Sequence, residues 1–205
     1  SGTSNLGANV TTSGTQTYTG ATVLSTDVTL TTTDSNVTFS STVDGDGTAR
    51  DLIIDTNGNT GTILFDGLVG NSNDLDAITI TGNLDLDAAI ANTTSISVSG
   101  TSNLGANVTT SGTQTYTGAV TLSTDVTLTT DDSNITFGST VRSDAAETPR
   151  DLTVNLDGNG GGTSADLIFN GIVGGASLPL DVMTLTGDLD LNSSIGNSPG
   201  ATSLT

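Results

Sequence analysis

Residues 1–20, SGTSNLGANVTTSGTQTYTG, recur without a single change at 99–118. Beyond that segment the two copies drift but stay alignable. Residues 25–30 (STDVTL) return at 123–128, Arg50-Asp51-Leu52 as Arg150-Asp151-Leu152, and Phe65 as Phe169. Gly82-Asn83-Leu84-Asp85-Leu86 returns as Gly187-Asp188-Leu189-Asp190-Leu191. The offset grows from 98 through 100, 104 and 105 to 108, each step a short insertion in a polar stretch such as 157–163. Loops accept such insertions and strands do not. The chain therefore divides into two tandem units, 1–98 and 99–205, running continuously one into the other.

Within each unit the apolar residues alternate with polar ones in short runs. Val28-Thr29-Leu30, Val37-Thr38-Phe39 and Ile78-Thr79-Ile80 are examples, and Leu52-Ile53-Ile54 is a wholly apolar run. Period-two alternation of β-branched residues predicts strands, and no window carries helical spacing. Turn signals of Gly, Asn, Asp and Ser cut the second unit into pieces of similar length: 99–118, 119–137, 138–154, 155–173 and 174–191. One such piece cannot bury its apolar face alone, but stacked pieces can. The expected fold is all-β: a parallel β-helix, or β-solenoid, of about ten rungs of roughly 20 residues.

Composition supports an ordered chain and narrows its chemistry. Ser and Thr abound, but only 12% of residues are charged and Pro is scarce, unlike a disordered tract. There is no Cys or His, which removes thiolate nucleophiles, disulfides, imidazole relays and zinc sites of the usual kind. A formal charge of -19, with Arg50, Arg142 and Arg150 as the only cations, argues against a nucleic-acid partner. No stretch approaches the ~18 apolar residues of a membrane helix. A transmembrane barrel needs ~9–11 alternating residues per strand and aromatic girdles. The strands here are shorter, and the aromatics are four Phe and two Tyr, so no membrane insertion is expected.

The run Gly112-Thr113-Gln114-Thr115-Tyr116-Thr117-Gly118-Ala119-Val120-Thr121-Leu122, followed by Val126-Thr127-Leu128 and Asn134-Ile135-Thr136-Phe137, resembles the repeats of giant secreted bacterial exoproteins. These are the filamentous-haemagglutinin-like adhesins and autotransporter passengers. The resemblance spans both units and implies a right-handed parallel β-helix, exported to the cell surface or medium. Neither the family's N-terminal secretion domain nor an outer-membrane translocator is matched, and no Arg-Gly-Asp tripeptide occurs.

Several side-chain patterns suggest more specific chemistry. Asp44-Gly45-Asp46-Gly47, Asp55-Thr56-Asn57-Gly58-Asn59 and Asp157-Gly158-Asn159-Gly160 set oxygen ligands two apart beside glycines. Asp44, Asp46, Asp55, Asn57, Asp157 and Asn159 are thus candidates for a weak calcium site, although tight turns use the same residues. Asp85 and Asp87, like Asp188 and Asp190, alternate with Leu and are expected on the solvated outer face. Arg50 and Arg150, each followed by Asp, suggest a local ion pair or a clamp between rungs. Thr29, Thr38, Thr79, Thr81, Thr127, Thr136, Thr153, Thr184 and Thr186 stand at polar strand positions. They resemble an ice-binding array, except that Asp, Asn and Ser interrupt the pattern. Asn-x-Ser/Thr sequons at Asn9, Asn36, Asn92, Asn107, Asn134 and Asn192 are no more frequent than chance predicts and are read as turn residues or stacked ladders.

These readings converge on an extracellular structural protein with no enzymatic role and no cofactor beyond that weak calcium. With what the resemblance implies, the expected role is a rigid stalk or fibre segment of a bacterial surface adhesin. The expected partners are copies of itself, by end-to-end stacking or in a longer array, since neither end offers a polar capping rung, together with surface glycans or host surfaces. The competing class is a polysaccharide-binding or polysaccharide-cleaving β-helix. A cleft lined by Asp and Arg from three successive rungs would favour that class.

Overall fold

A computed structural model describes residues 2–58, 60–162, 164–175, 177–196 and the strand Ser203–Leu204. The described residues form a parallel β-solenoid without a helix, of about nine turns averaging about 21 residues. Turn length varies more than the sequence suggests. The step between neighbouring turns is 18 residues from Asn83 to Thr101, 26 from Asn36 to Thr62 and 32 from Asn134 to Asp166. Loops of different size at the corners absorb the difference, and they explain nine turns in place of ten.

Each turn contributes a short strand to each of three faces. On the first, Thr22 pairs with Val43, and isolated bridges carry the column through Val69 to Ile90 and on to Val108. On the second, Val28, Leu52, Ile78, Ile96, Gln114, Ile135, Leu167 and Leu189 stand in register. On the third the column is Gln16, Val37, Ile63, Leu84, Ser102, Val120 and Val141. Strands of the first unit pair with those of the second at Leu84–Ser102, Ile90–Val108 and Ile96–Gln114, so the ladder crosses the unit boundary unbroken.

The two copies of the identical segment do not occupy the same faces. Ser4–Leu6 lies on the first face, whereas Ser102–Leu104 lies on the third. Gln16–Tyr18 lies on the third face and Gln114–Tyr116 on the second. Fourteen strand positions separate the start of one unit from the next, so a unit winds four and two-thirds turns. The number of preceding strand positions sets which way a segment points, and the segment's own sequence does not.

Inward side chains form one continuous core of Leu, Ile, Val and Phe, most of them fully buried. Each such aliphatic contributes about 1.5–3 kcal/mol by leaving water. Aromatic rings stack from turn to turn. Tyr18, Phe39 and Phe65 make one ladder on the third face, with centroids 5.0 and 5.2 Å apart. Tyr116, Phe137 and Phe169 make another on the second face, at 5.4 and 5.1 Å.

Polar corner residues complete the ladders where strand pairing lapses. Asn9 Oδ1 accepts from Thr29 N (2.8 Å), Asn36 from Thr62 N (2.9 Å), and Asp27 from Asp51 N (3.2 Å). Asn107, Asn134 and Asp125 do the same in the second unit. Four of the six sequon asparagines thus act as carbonyl substitutes for the next turn. Inside the corner, Gln114 Nε2 donates to Val108 O, Thr110 Oγ1 and Thr129 O, and Tyr116 O–H donates to Gln114 Oε1 (3.1 Å). Gln16, Thr12 and Tyr18 repeat this network on a different face. Local sequence therefore fixes the corner even though it does not fix the face.

Candidate functional site

The third face carries an outward row of side chains in strict register. Its outward side chains Leu64, Asp85, Asn103, Thr121 and Arg142 stand in register on five successive turns. Around them lies a shallow groove of about 320 Å³, also lined by Thr62, Asn83, Thr101 and Ala119. Asn103 Nδ2 donates to Asp85 Oδ1 at 2.8 Å, and Arg142 Nε to Thr121 Oγ1 at 3.4 Å. Arg142 makes no ion pair among the described residues, whereas the other two arginines do. The groove offers a carboxylate, two carboxamides, hydroxyls and a guanidinium along roughly 14 Å, from the ~4.8 Å spacing of neighbouring strands. That array suits hydrogen bonding to a hydroxyl-rich chain. Asp85 is the one carboxylate in its lining, so the groove itself does not hold the acid pair that glycoside hydrolysis uses.

Beside the groove, Asp87 is exposed and its carboxyl titrates above the ordinary range. Partial desolvation is the main cause, with smaller contributions from Asp85 and Asp66. Asp188 and Asp190 are exposed on the second face, one third of a turn away from their counterparts Asn83 and Asp85.

The calcium candidates each make local contacts in or beside their turns. Asp44 is 8% exposed and its Oδ1 accepts from Ser72 N (2.9 Å) and Asn73 N (3.4 Å), tying its own turn to the next loop. Asp46 pairs with Arg50 at 3.1 Å. Asp55 Oδ1 accepts from Asn57 N (2.8 Å), and Asn57 itself has φ 52°. Asp157 Oδ1 accepts from Gly162 N and Asn159 Oδ1 from Gly161 N, while Asn159 Nδ2 donates to Asp132. Among the described residues no three Asp or Glu side chains gather into a group of metal-holding type.

The arginines pair locally, but with different partners from those their neighbours suggest. Arg50 bonds Asp46 and Arg150 bonds Asp144, each through two nitrogens. These guanidinium bonds hold both carboxyls below the usual range. The adjacent Asp51 and Asp151 instead accept from Ala77 N and Val182 N of the following turn, both at 3.0 Å. They clamp turns, and the arginines close their own loops.

The threonines scatter over all three faces. Thr29, Thr79 and Thr136 stand on the second, Thr38 on the third, and Thr127, Thr153 and Thr184 on the first. The second-face column reads Thr29, Ile53, Thr79, Ser97, Thr115, Thr136, Ile168, so isoleucine breaks it twice. Thr31, Asp55 and Thr81 form an interrupted neighbouring column.

Comparison with protein-family models, curated proteins and solved structures finds no match for this chain. Among the described residues no helix is long and apolar enough to cross a membrane.

Proposed function

We propose that the chain is a rigid structural segment, a stalk or fibre element of a surface adhesin outside a bacterial cell. The observation that supports this most directly is the unbroken ladder through both units, with backbone, aliphatic and aromatic columns all in register across the boundary. Such stacking resists bending because every interior turn is hydrogen-bonded to two neighbours. The resemblance to secreted exoprotein repeats supports the extracellular setting. The near absence of cations supports it further, since sideways contact between rods brings carboxylates together. Small-angle scattering of the purified chain tests the rigid segment: a rod about 43 Å long is expected from nine turns at ~4.8 Å. Two lobes moving independently would overturn it. Protease treatment of intact source cells tests the setting, with cleavage from outside expected.

A second reading rests on the groove at Asp85, Asn103, Thr121 and Arg142, which fits weak, repeated contact with a neutral polysaccharide. Retardation of the protein in gels containing neutral glycans, lost in Arg142→Ala, is the expected result. Equal mobility of both proteins in every glycan would remove this reading.

A further inference from the structure

The two units differ in charge at one outward strand position. Thr42-Val43-Asp44 returns as Thr140-Val141-Arg142. In both units a glycine of the following turn stands over that position, since Val43 bridges Val69, ahead of Gly70, and Val141 bridges Val173, ahead of Gly174. In the first unit Asp44 draws the loop after Gly70 onto itself. Its Oδ1 accepts from Ser72 N and Asn73 N, which leaves the residue buried. Arg142 has no acceptor to offer the corresponding loop. That loop is held by the next residue instead, with Ser143 Oγ donating to Pro179 O at 2.6 Å and Ser143 N to Leu178 O at 3.4 Å. Arg142 stays exposed.

Where Asp44 lies under its loop, Arg142 faces a pocket of about 230 Å³. Val141, Ile172 and Leu178 give it mainly apolar walls, and Thr140 and Ser177 add hydroxyls. Arg142 also lines the groove that runs along the third face to Asp85, so groove and pocket meet at one guanidinium. Its one hydrogen bond among the described residues runs from Nε to Thr121 Oγ1, which leaves the Nη donors for a ligand.

A polar row that ends in a cation beside an apolar pocket selects its ligand. The hydroxyl of a plain hexose would be stripped of water against Ile172 and Leu178 without a partner, which is costly. A carboxylate would suit Arg142 but has to approach a chain of formal charge -19, with Asp85 in the same groove. An acetamido group satisfies both surfaces without charge. Its carbonyl accepts from a guanidinium, its N–H donates to a hydroxyl, and its methyl belongs against apolar walls.

We propose that the groove and this pocket together take a neutral glycan of N-acetylated amino sugars, with one acetamido group seated at Arg142. This rests on the glycan reading of the groove. The acetamido carbonyl accepts from the Arg142 Nη atoms, its N–H donates to the Thr140 hydroxyl, and its methyl packs against Ile172 and Leu178. The rest of the sugar chain lies along Thr121, Asn103 and Asp85.

NMR titration of the full chain with three tetrasaccharides tests this. Chitotetraose carries the acetamido group, cellotetraose has a hydroxyl in its place on the same backbone, and tetragalacturonate carries carboxylates. Chitotetraose is expected to bind more tightly than cellotetraose by about tenfold or more, the scale of an alkyl group in an apolar pocket. Ile172 is 43% exposed, so Ile172→Ser is expected to fold, checked by its melting temperature, and to cut that preference below about threefold. Leu178→Ser serves as a second variant with the same expected loss. Equal affinity for chitotetraose and cellotetraose would overturn the acetamido site and leave the glycan groove standing. Tighter binding of tetragalacturonate would overturn it too, because Arg142 would then be reading a carboxylate. A preference that survives both serine variants would place the acetamido group elsewhere and overturn the pocket's role. No shift with any of the three sugars would overturn the groove reading along with the site.

Discussion

The ring of Phe137 lies 5.1 Å from that of Phe169, centroid to centroid, and only 8° from parallel. Tyr116 stacks on its other side. Phe137 is thus the middle of a three-ring column and has no free face. Phe137→Ala is expected to destabilise the solenoid by about 3–5 kcal/mol, and Phe137→Leu by distinctly less. Guanidinium unfolding checks both. A loss below about 1 kcal/mol for the alanine variant would show that the column is packing filler.

Thr22 and Val120 occupy corresponding places in the two units, but the sequence order is reversed: Thr22-Val23 against Val120-Thr121. Thr22 is 1% exposed and its hydroxyl finds no hydrogen-bond partner among the described residues, while Val23 points outward. The double exchange Thr22→Val/Val23→Thr copies the second unit's order into the first. It is expected to stabilise by about 1–3 kcal/mol, the cost of a buried unsatisfied hydroxyl. The reverse exchange at 120 and 121 is expected to destabilise similarly. Denaturant midpoints at unchanged slope measure both.

Glycines separate into two classes that alanine scanning distinguishes. A Cβ on Gly118 would sit 2.2 Å from Gly100 O, and one on Gly100 would sit 2.4 Å from Gly82 O. These three glycines let backbones of successive turns approach at one corner. Gly118→Ala is expected to cost about 1–3 kcal/mol by forcing turns apart. Gly14, with open space around its Cβ position, is expected to accept alanine within about 0.5 kcal/mol. Equal thermal shifts in the two variants would refute the distinction.

Acid titration gives opposite signs at different aspartates. The folded state holds the Asp87 proton more tightly than an unfolded chain does, because the carboxylate is partly desolvated and faces Asp85 and Asp66. Ionised Asp87 therefore weakens the fold at neutral pH, and the penalty disappears once pH falls below the ordinary aspartate value. Asp87→Asn is expected to raise the melting temperature at pH 7 and to have no effect at pH 3. Asp144, lowered by Arg150, has the reverse sign. Its contribution is present above the ordinary aspartate value and is lost as pH falls through its folded value. Asp144→Asn lowers the melting temperature at pH 7 only. Melting curves of both variants at the two pH values measure the effects.

Strand positions were legible because each obeys a local rule. Val37-Thr38-Phe39 alternates inward and outward as its sequence alternates, and the same holds for Ile78-Thr79-Ile80. What the sequence conceals is azimuth. Gln16 and Gln114 have identical neighbours but lie on different faces, since the number of strand positions that precede each decides the face. The groove was hidden for that reason. Asp85, Asn103, Thr121 and Arg142 become a row only through unequal steps, 18 residues from Asp85 to Asn103 but 21 from Thr121 to Arg142. The aromatic recurrence between units is visible in the sequence. The stack within a unit needs the different lengths of the turns joining Tyr18 to Phe39 and Phe39 to Phe65. The local ion pair expected at Arg50 forms, but with Asp46 in place of the adjacent Asp51, because the loop turns the guanidinium back.

The one-third-turn offset has a mechanical consequence. In the first unit the wide loops 46–49 and 70–74 crowd the corner between the first and second faces. Their counterparts 144–149, 174–175 and 177–179 crowd the corner between the third and first. A rod with all its bulky corners on one side would be longer along that side and would curve. Two consecutive units set that bulk at two different corners, so it does not accumulate along one side of the rod.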